Sequence, residues 1–213
     1  MKIKKIGHCC LVIDHKDKRI LTDPGAFSKG QETVKDVDLI LITHDHQDHI
    51  HVESLQQIIQ NNPDVIIYTN ESVGKILTEK NISFKIVDDG RTEIFKELKI
   101  EGIGKTHALI HESIPLSENT GYFIDNKLFY PGDQFTDPKK EVEILALPVA
   151  GPWTTIGMAV DYGLKIKPKK CFPVHDGMIK PEMIGIFHNL PKRMLEKNGT
   201  EFIPLKEGEE HEF

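Results

Sequence analysis

Asp38-Leu39-Ile40-Leu41-Ile42-Thr43-His44-Asp45-His46-Gln47-Asp48-His49 is the stretch that decides the fold. Its first half is a short, continuous apolar run, the pattern of a strand covered on both faces. Its second half, His-x-His-x-Asp-His, sets four candidate metal ligands within six residues at the mouth of that strand. Neutral imidazole and carboxylate together suit zinc and similar first-row ions. In an extended segment, side chains two positions apart point the same way, so His44 and His46 can grip one ion. Asp48 and His49 fall where the chain should turn into a helix, and their side chains can diverge toward a second ion.

Outward from this stretch, strands and helices mix throughout. Upstream, residues 10–14 and 19–22 read as a hairpin closed by the polar turn His15-Lys16-Asp17-Lys18. Downstream, Val52, Leu55, Ile58 and Ile59 recur at helical spacing, and Asn61-Asn62-Pro63 stops the helix. A strand over 65–68 and a helix over 71–80 follow. Strands are expected over 84–87, 92–95, 98–104, 121–125, 127–130, 143–147 and 171–174. Helices are expected over 156–166 and 181–197, the latter with Pro in its first turn. The result is one domain spanning 1–213, with two strand-rich halves each followed by helices. The acidic run over 207–212 reads as a solvated tail.

The chain has 213 residues, enough for a sizeable core, and a formal charge of −6. That charge argues against a non-specific nucleic-acid binder, which carries a basic surface. No segment approaches the roughly 20 apolar residues of a membrane span, and no apolar signal core precedes His8. The expected compartment is the reducing cytoplasm. Cys9, Cys10 and Cys171 form no even disulfide framework and read as small buried hydrophobes. Cys9 lies beside His8, which makes it a conceivable ligand.

Two ions need more ligands than one motif offers. His107 follows the strand over 98–104, Asp133 follows Leu128-Phe129-Tyr130, and His175 follows Cys171-Phe172-Pro173-Val174. Each sits where a buried strand runs out into a loop, the position at which rigid scaffolds place functional groups.

This order of His-x-His-x-Asp-His, His, Gly-Asp and His resembles the metallo-β-lactamase superfamily of metal-dependent hydrolases. Thr22-Asp23-Pro24-Gly25 is similar to that superfamily's early Asp at a strand end. Gly7-His8, Asp23-Pro24 and Leu147-Pro148-Val149-Ala150-Gly151 ahead of Pro173-Val174-His175 look most like its ascorbate-6-phosphate-lactonase-like branch. The resemblance implies an α/β fold, a four-layer αβ/βα sandwich of two mixed sheets flanked by helices, with metals at the shared edge. It implies that His44, His46 and His107 hold one ion, that Asp48, His49 and His175 hold another, and that Asp133 bridges them. Asp23 would orient a ligating His or a loop backbone. His8 would stand near the cleft, with a role in substrate contact or proton transfer. One departure is Pro152-Trp153-Thr154-Thr155-Ile156-Gly157, where that branch has a glycine- and His-rich loop.

The expected chemistry is hydrolysis of an ester, lactone or phosphoester bond of a small molecule, without nucleic-acid or membrane partners. Two divalent ions, zinc first with Mn2+, Fe2+ or Ni2+ as alternatives, can share a hydroxide and lower the pKa of water from about 15.7 to roughly 7. Asp48 or Asp133 would take the water's proton, Asp48 being favoured because a bridging carboxylate has fewer free lone pairs. An iron-dependent thiol dioxygenase and a small-substrate phosphodiesterase or nuclease are the competing enzymes, and a non-catalytic binding module would be marked by lost ligands. Trp153 and Phe135 read as pocket wall or core, and Lys105, Thr154 and Thr155 as contacts for an anionic substrate. His111, Asp176 and His51 lie near the ligands in sequence; His15, His188 and His211 read as ordinary surface residues. Pocket shape falls to the loops over 27–36, 108–119 and 135–141.

Overall fold

A computed structural model describes residues 1–213. The first half contributes β1 (Lys2–Lys5), β2 (Leu11–His15), β3 (Lys18–Thr22), β4 (Leu39–Leu41), α1 (Val52–Asn61), β5 (Ile66–Thr69), α2 (Glu71–Glu79) and β6 (Lys85–Ile86). The second half contributes β7 (Thr92–Phe95), β8 (Leu98–Ile103), β9 (Gly121–Ile124), β10 (Leu128–Tyr130), β11 (Ile144–Pro148), α3 (Ile156–Ile166), β12 (Lys170–Val174), α4 (Ile184–Glu196) and β13 (Glu201–Phe202). A last strand, β14 (Glu210–Glu212), returns to pair with β1.

Each half begins as an antiparallel meander and ends in parallel strands joined through helices. The first sheet runs β14-β1-β2-β3-β4-β5-β6 and the second β13-β12-β11-β10-β9-β8-β7. The pairings β3–β4, β4–β5 and β5–β6 are parallel, as are β10–β11, β11–β12 and β12–β13. Parallel pairing demands a crossover, supplied by α1, α2, α3 and α4 for β4–β5, β5–β6, β11–β12 and β12–β13, and by long loops for β3–β4 and β10–β11.

Strand alternation sorts the apolar runs into three layers of core. Leu11, Ile13, Ile20, Leu39 and Leu41 meet Leu98, Ile100, Tyr122, Ile124 and Phe172 between the sheets. On the other face of the first sheet, Val12, Leu21, Ile40 and Ile42 pack under Leu55 and Ile58 of α1 and Val73 and Leu77 of α2. On the outer face of the second, Phe123, Phe129, Leu145 and Leu147 meet Ala159, Tyr162 and Leu195. A strand facing core on both sides must be apolar throughout, which is why 39–42 shows no alternation. Each fully buried Leu or Ile contributes about 1.5–3 kcal/mol.

The four-layer sandwich expected from the sequence is the observed fold. The acidic C-terminal run departs from the expected tail. Its residues Glu210–Glu212 form the edge strand β14, because the basic strand β1 beside it offers charge: Lys2 Nζ lies 3.4 Å from Glu210. No helix is long and apolar enough to cross a membrane.

Candidate metal centre

The ends of β4, β8, β10 and β12 deliver the candidate ligands to one edge of the sandwich. After β4 the chain enters the motif, and a tight turn closes it, with His49 and Ile50 N–H both donating to the His46 carbonyl at 2.9 Å. Gly25 lets the loop after β3 press against this turn, since a Cβ there would lie 1.9 Å from the Asp48 carbonyl oxygen. Gly132 takes φ 64° to swing Asp133 inward, and a Cβ there would strike Thr43 and Asn119.

Two groups result. The ligand atoms of His44, His46 and His107 lie within 4.8 Å of one another, and so do those of Asp48, His49, Asp133 and His175. Asp133 joins them: its Oδ2 is 3.3 Å from His107 Nε2 and 2.9 Å from His175 Nε2, and its Oδ1 is 3.3 Å from His49 Nε2. All seven residues singled out by sequence therefore converge.

Asp23 orients the motif. It is fully buried, in the left-handed region at φ 37°, and its carboxylate accepts from Thr43 N–H and Oγ1–H at 2.8 Å, from Tyr130 OH at 2.6 Å and from His49 Nδ1 at 2.7 Å. A carboxylate only accepts, so the His49 proton sits on Nδ1 and Nε2 turns its lone pair to the centre. Thr43 passes the effect on. Its hydroxyl, spent on Asp23, accepts from His44 Nδ1 at 3.0 Å, freeing His44 Nε2 in the same sense. His107 Nδ1 donates to the Ala108 carbonyl at 2.5 Å and likewise presents Nε2.

Charge completes the picture. Burial, then the His49 ring, pushes His44 well below the ordinary imidazole range, and burial lowers His46 too, so both are neutral candidate ligands. Burial also opposes charge on Asp133, but His49 and His175 outweigh it and hold the carboxyl well below the usual range. In return Asp133 overcomes the burial of His175 and raises it to about 10. The second group thus draws positive charge. The donor atoms answer the same description: His49 Nε2, Asp133 Oδ1 and both ring nitrogens of His175 are buried without a hydrogen-bond partner. Buried polar atoms are almost always satisfied, and imidazole with carboxylate is the donor set of a divalent first-row ion. The residues fit the group.

His8 lies beside this cluster rather than in either trio. Its ring is 4.0 Å from that of His175, and Nδ1 accepts the Gly177 N–H at 3.1 Å. That contact leaves its proton on Nε2, which faces Asp48 Oδ2 at 3.3 Å. Burial pushes His8 down to about 4, so it is a neutral donor. Cys9 comes within ligand range of His8, His49 and His175, as its place in the sequence allowed.

Residues 2–175 match a family model described as Beta-lactamase superfamily domain. The chain belongs to the metallo-β-lactamase superfamily. Among its relatives, the Mycobacterium tuberculosis protein Rv0786c is 34% identical over 212 residues, 97% of each chain. A UPF0173 metal-dependent hydrolase of Nanoarchaeum equitans is 28% identical over 230 residues, 99% of each. A solved structure of a candidate metal-dependent hydrolase from Parabacteroides distasonis superposes with a TM-score of 0.79 at 25% identity, covering 97% of this chain and 93% of that one.

Several supports of this superfamily site escaped the sequence reading. Trp153 Nε1–H donates to Asp133 Oδ2 at 2.9 Å, and its ring packs edge-on against His107 and His175. It is therefore neither plain wall nor plain core; being the single Trp, in a loop straight after a buried strand, was its only signal. Asn119 accepts the Asp133 N–H at 2.9 Å, and Ser117 Oγ is 3.2 Å from His46 Nε2. Behind His175, Asp176 is buried between Lys5 Nζ at 2.5 Å and His188 Nε2 at 2.8 Å. His188 is thus a core residue and not a surface one, on the inward face of α4 with Pro191 and Leu195. His15 is also mostly buried, against Asp125 at 2.7 Å. Thr155 caps α3 and Lys105 is exposed with Asp89 as its nearest carboxylate, so neither lines the cluster. His51 bonds Ser54, and His111 bonds Ser113 on the surface.

Proposed function

We propose that this chain is a binuclear metal-dependent hydrolase of small esters, lactones or phosphoesters. His44, His46 and His107 would hold one divalent ion, Asp48, His49 and His175 a second, and Asp133 would lie between. Zinc suits this donor set first, with manganese, iron or nickel as alternatives. The observation that carries the reading is the convergence of buried, unpartnered His and Asp atoms on one point. The metal-dependent hydrolase among the relatives supports the reaction class.

When bound, such ions supply Lewis acidity and a water deprotonated near neutral pH, so no Ser or Cys nucleophile is required. The chain does the rest. Asp23 and Thr43 lock the tautomers of His49 and His44, so these rings arrive with lone pairs turned inward. Trp153 holds the Asp133 carboxyl and Asn119 holds its backbone N–H. Asp48, 18% exposed against 3% for Asp133, is the carboxylate that meets entering solvent and accepts its proton. His8 Nε2 carries its ring proton and lies 3.3 Å from Asp48 Oδ2, where it orients the carboxylate while that group is ionised.

The test is elemental analysis of purified protein beside Asp133→Ala, followed by screening of lactones, carboxylic esters and phosphodiesters. Close to two ions per chain, lost or halved in the variant, with hydrolysis in the screen, is the expected result. One ion or none after metal supplementation refutes the binuclear site. Iron with oxygen uptake on thiols, and no hydrolysis, moves the chain to the dioxygenase class.

A further inference from the structure

The segment over 107–117 forms a flap whose base is fastened to the metal centre. His107 N–H donates to the Ser117 carbonyl at 3.0 Å, and Asn119 N–H to the Lys105 carbonyl at 3.1 Å. Thr106 and Glu118 pair as an isolated bridge, and Ser117 Oγ touches His46. The flap therefore begins at one candidate ligand and ends against another. Between these points it turns apolar side chains outward: Leu109 is 55% exposed, Ile114 46% and Leu116 56%.

Exposed apolar side chains cost solubility, and a cluster of them marks a contact surface. Here their distribution is uneven. Of the ten large hydrophobics exposed on the molecule, only Ile66 and Ile94 lie on strands. Of the other eight, Leu109, Ile114 and Leu116 lie on the flap, Phe27 on the loop after β3 and Met178 on the loop after β12, whereas Met158, Met183 and Ile186 lie on or just before the outer helices α3 and α4. Phe27 stands edge-on to the His8 ring at 5.5 Å, and Met178 follows His175 by three residues. A cleft of about 20 Å³, room for little more than one water, separates the flap from the cluster and is walled by His46, His107, Ile110, Ile114, Leu116 and Ser117, so a larger group lies on the flap's apolar side chains and not inside it. Apart from an ion on His46 and His107, no cationic side chain lines the cleft, and a hydrocarbon resting on the flap would find matching surface.

We propose that the substrate of the reaction argued above carries an apolar acyl or alkyl group, and that this flap seats it. The inference rests on the hydrolase reading for the location of the reacting bond. The apolar lining carries the substrate class: a neutral hydrocarbon substituent and not a phosphorylated one. The cavity shares His46 and His107 with the metal centre, so a chain lying on Leu109, Ile114 and Leu116 starts where the scissile group would sit.

Straight-chain carboxylates from acetate to octanoate, titrated into metal-loaded and chelator-stripped protein, test this without any turnover. Trp153, the single tryptophan, lies against His107 and His175, so its emission reports occupancy directly. Affinity is expected to rise about threefold to fourfold per methylene until the flap is covered. In Leu109→Ser/Leu116→Ser, with metal content measured on the same sample, the gain is expected to fall below about 1.5-fold, whereas Ile94→Ser keeps the full slope. Affinity independent of chain length, or a slope that survives in the flap variant, overturns the proposal. Failure of the metal reading shows differently: loaded and stripped protein then behave alike, while the slope still judges the flap.

Discussion

Replacing Lys5 by methionine removes the ammonium from a salt bridge that is almost wholly out of water. The side chains of Lys5 and Asp176 are 2% and 1% exposed, with Nζ and Oδ1 2.5 Å apart. Lys5 also donates to the Pro173 carbonyl at 2.9 Å. Breaking a buried pair on one side costs about 3–5 kcal/mol, because the remaining charge is left uncompensated. Asp176 keeps its hydrogen bond with His188 Nε2 at 2.8 Å, which places Lys5→Met near the lower figure, about 3 kcal/mol. With a urea m-value of about 3 kcal/mol/M, at the upper end for small proteins, the midpoint should fall by about 1 M. Lys5→Met/Asp176→Leu removes both charges for similar volume and should recover to within about 1 kcal/mol of wild type. Equilibrium urea unfolding followed by far-UV circular dichroism, completed as a double-mutant cycle, measures the coupling. A single variant that costs under about 1 kcal/mol, or a double variant as unstable as the two singles combined, would refute the assignment of this pair as a coupled buried unit.

Two further outcomes are expected. Trp153→Phe keeps the aromatic bulk beside Phe135 but strips the donor from Asp133, so affinity for zinc, measured by competition with a chromophoric chelator, should drop about tenfold, while unchanged affinity would show that Asp133 needs no such hold. Burial pushes the Cys171 thiol up, so its folded pKa exceeds the unfolded one; its stabilising share is complete below about pH 8.5 and is lost as pH rises beyond. The penalty of Cys171→Ala should therefore narrow by about 1 kcal/mol between pH 8.5 and 9.5, as read from paired denaturation curves, and a constant penalty would contradict the burial argument.

The strand segments and the candidate ligand positions were legible because both rest on local rules, whereas the sandwich itself was implied by the family resemblance those positions carry. A fully apolar strand such as 39–42 announces two covered faces, and a ligand must follow a strand end to be held rigidly, so His107, Asp133 and His175 stood out by position. What stayed hidden depends on contacts far apart in sequence. Lys5 meets Asp176 across 171 positions, and Tyr130 reaches Asp23 across 107; nothing in either neighbourhood signals the other. Thr43 is a different case, since it directly precedes the motif, but its use as a relay between Asp23 and His44 depends on a left-handed backbone at Asp23 that its sequence does not disclose. The acidic 207–212 run misled because its partner, the basic strand β1, lies at the opposite end of the chain.

The placement of the candidate ligands on the two sheets has a mechanical consequence. His44, His46, Asp48 and His49 hang from the first sheet, whereas His107, Asp133 and His175 hang from the second. Ions held by this set would act as rivets through the seam, stitching residues up to 131 positions apart without a covalent bond. Neither sheet would feel the stitch within its own hydrogen-bonded ladder. Amide exchange should accordingly slow on metal loading at the rim of the seam, in the turns after β4, β10 and β12, while the far rim, where β2 turns into β3, keeps its native rate.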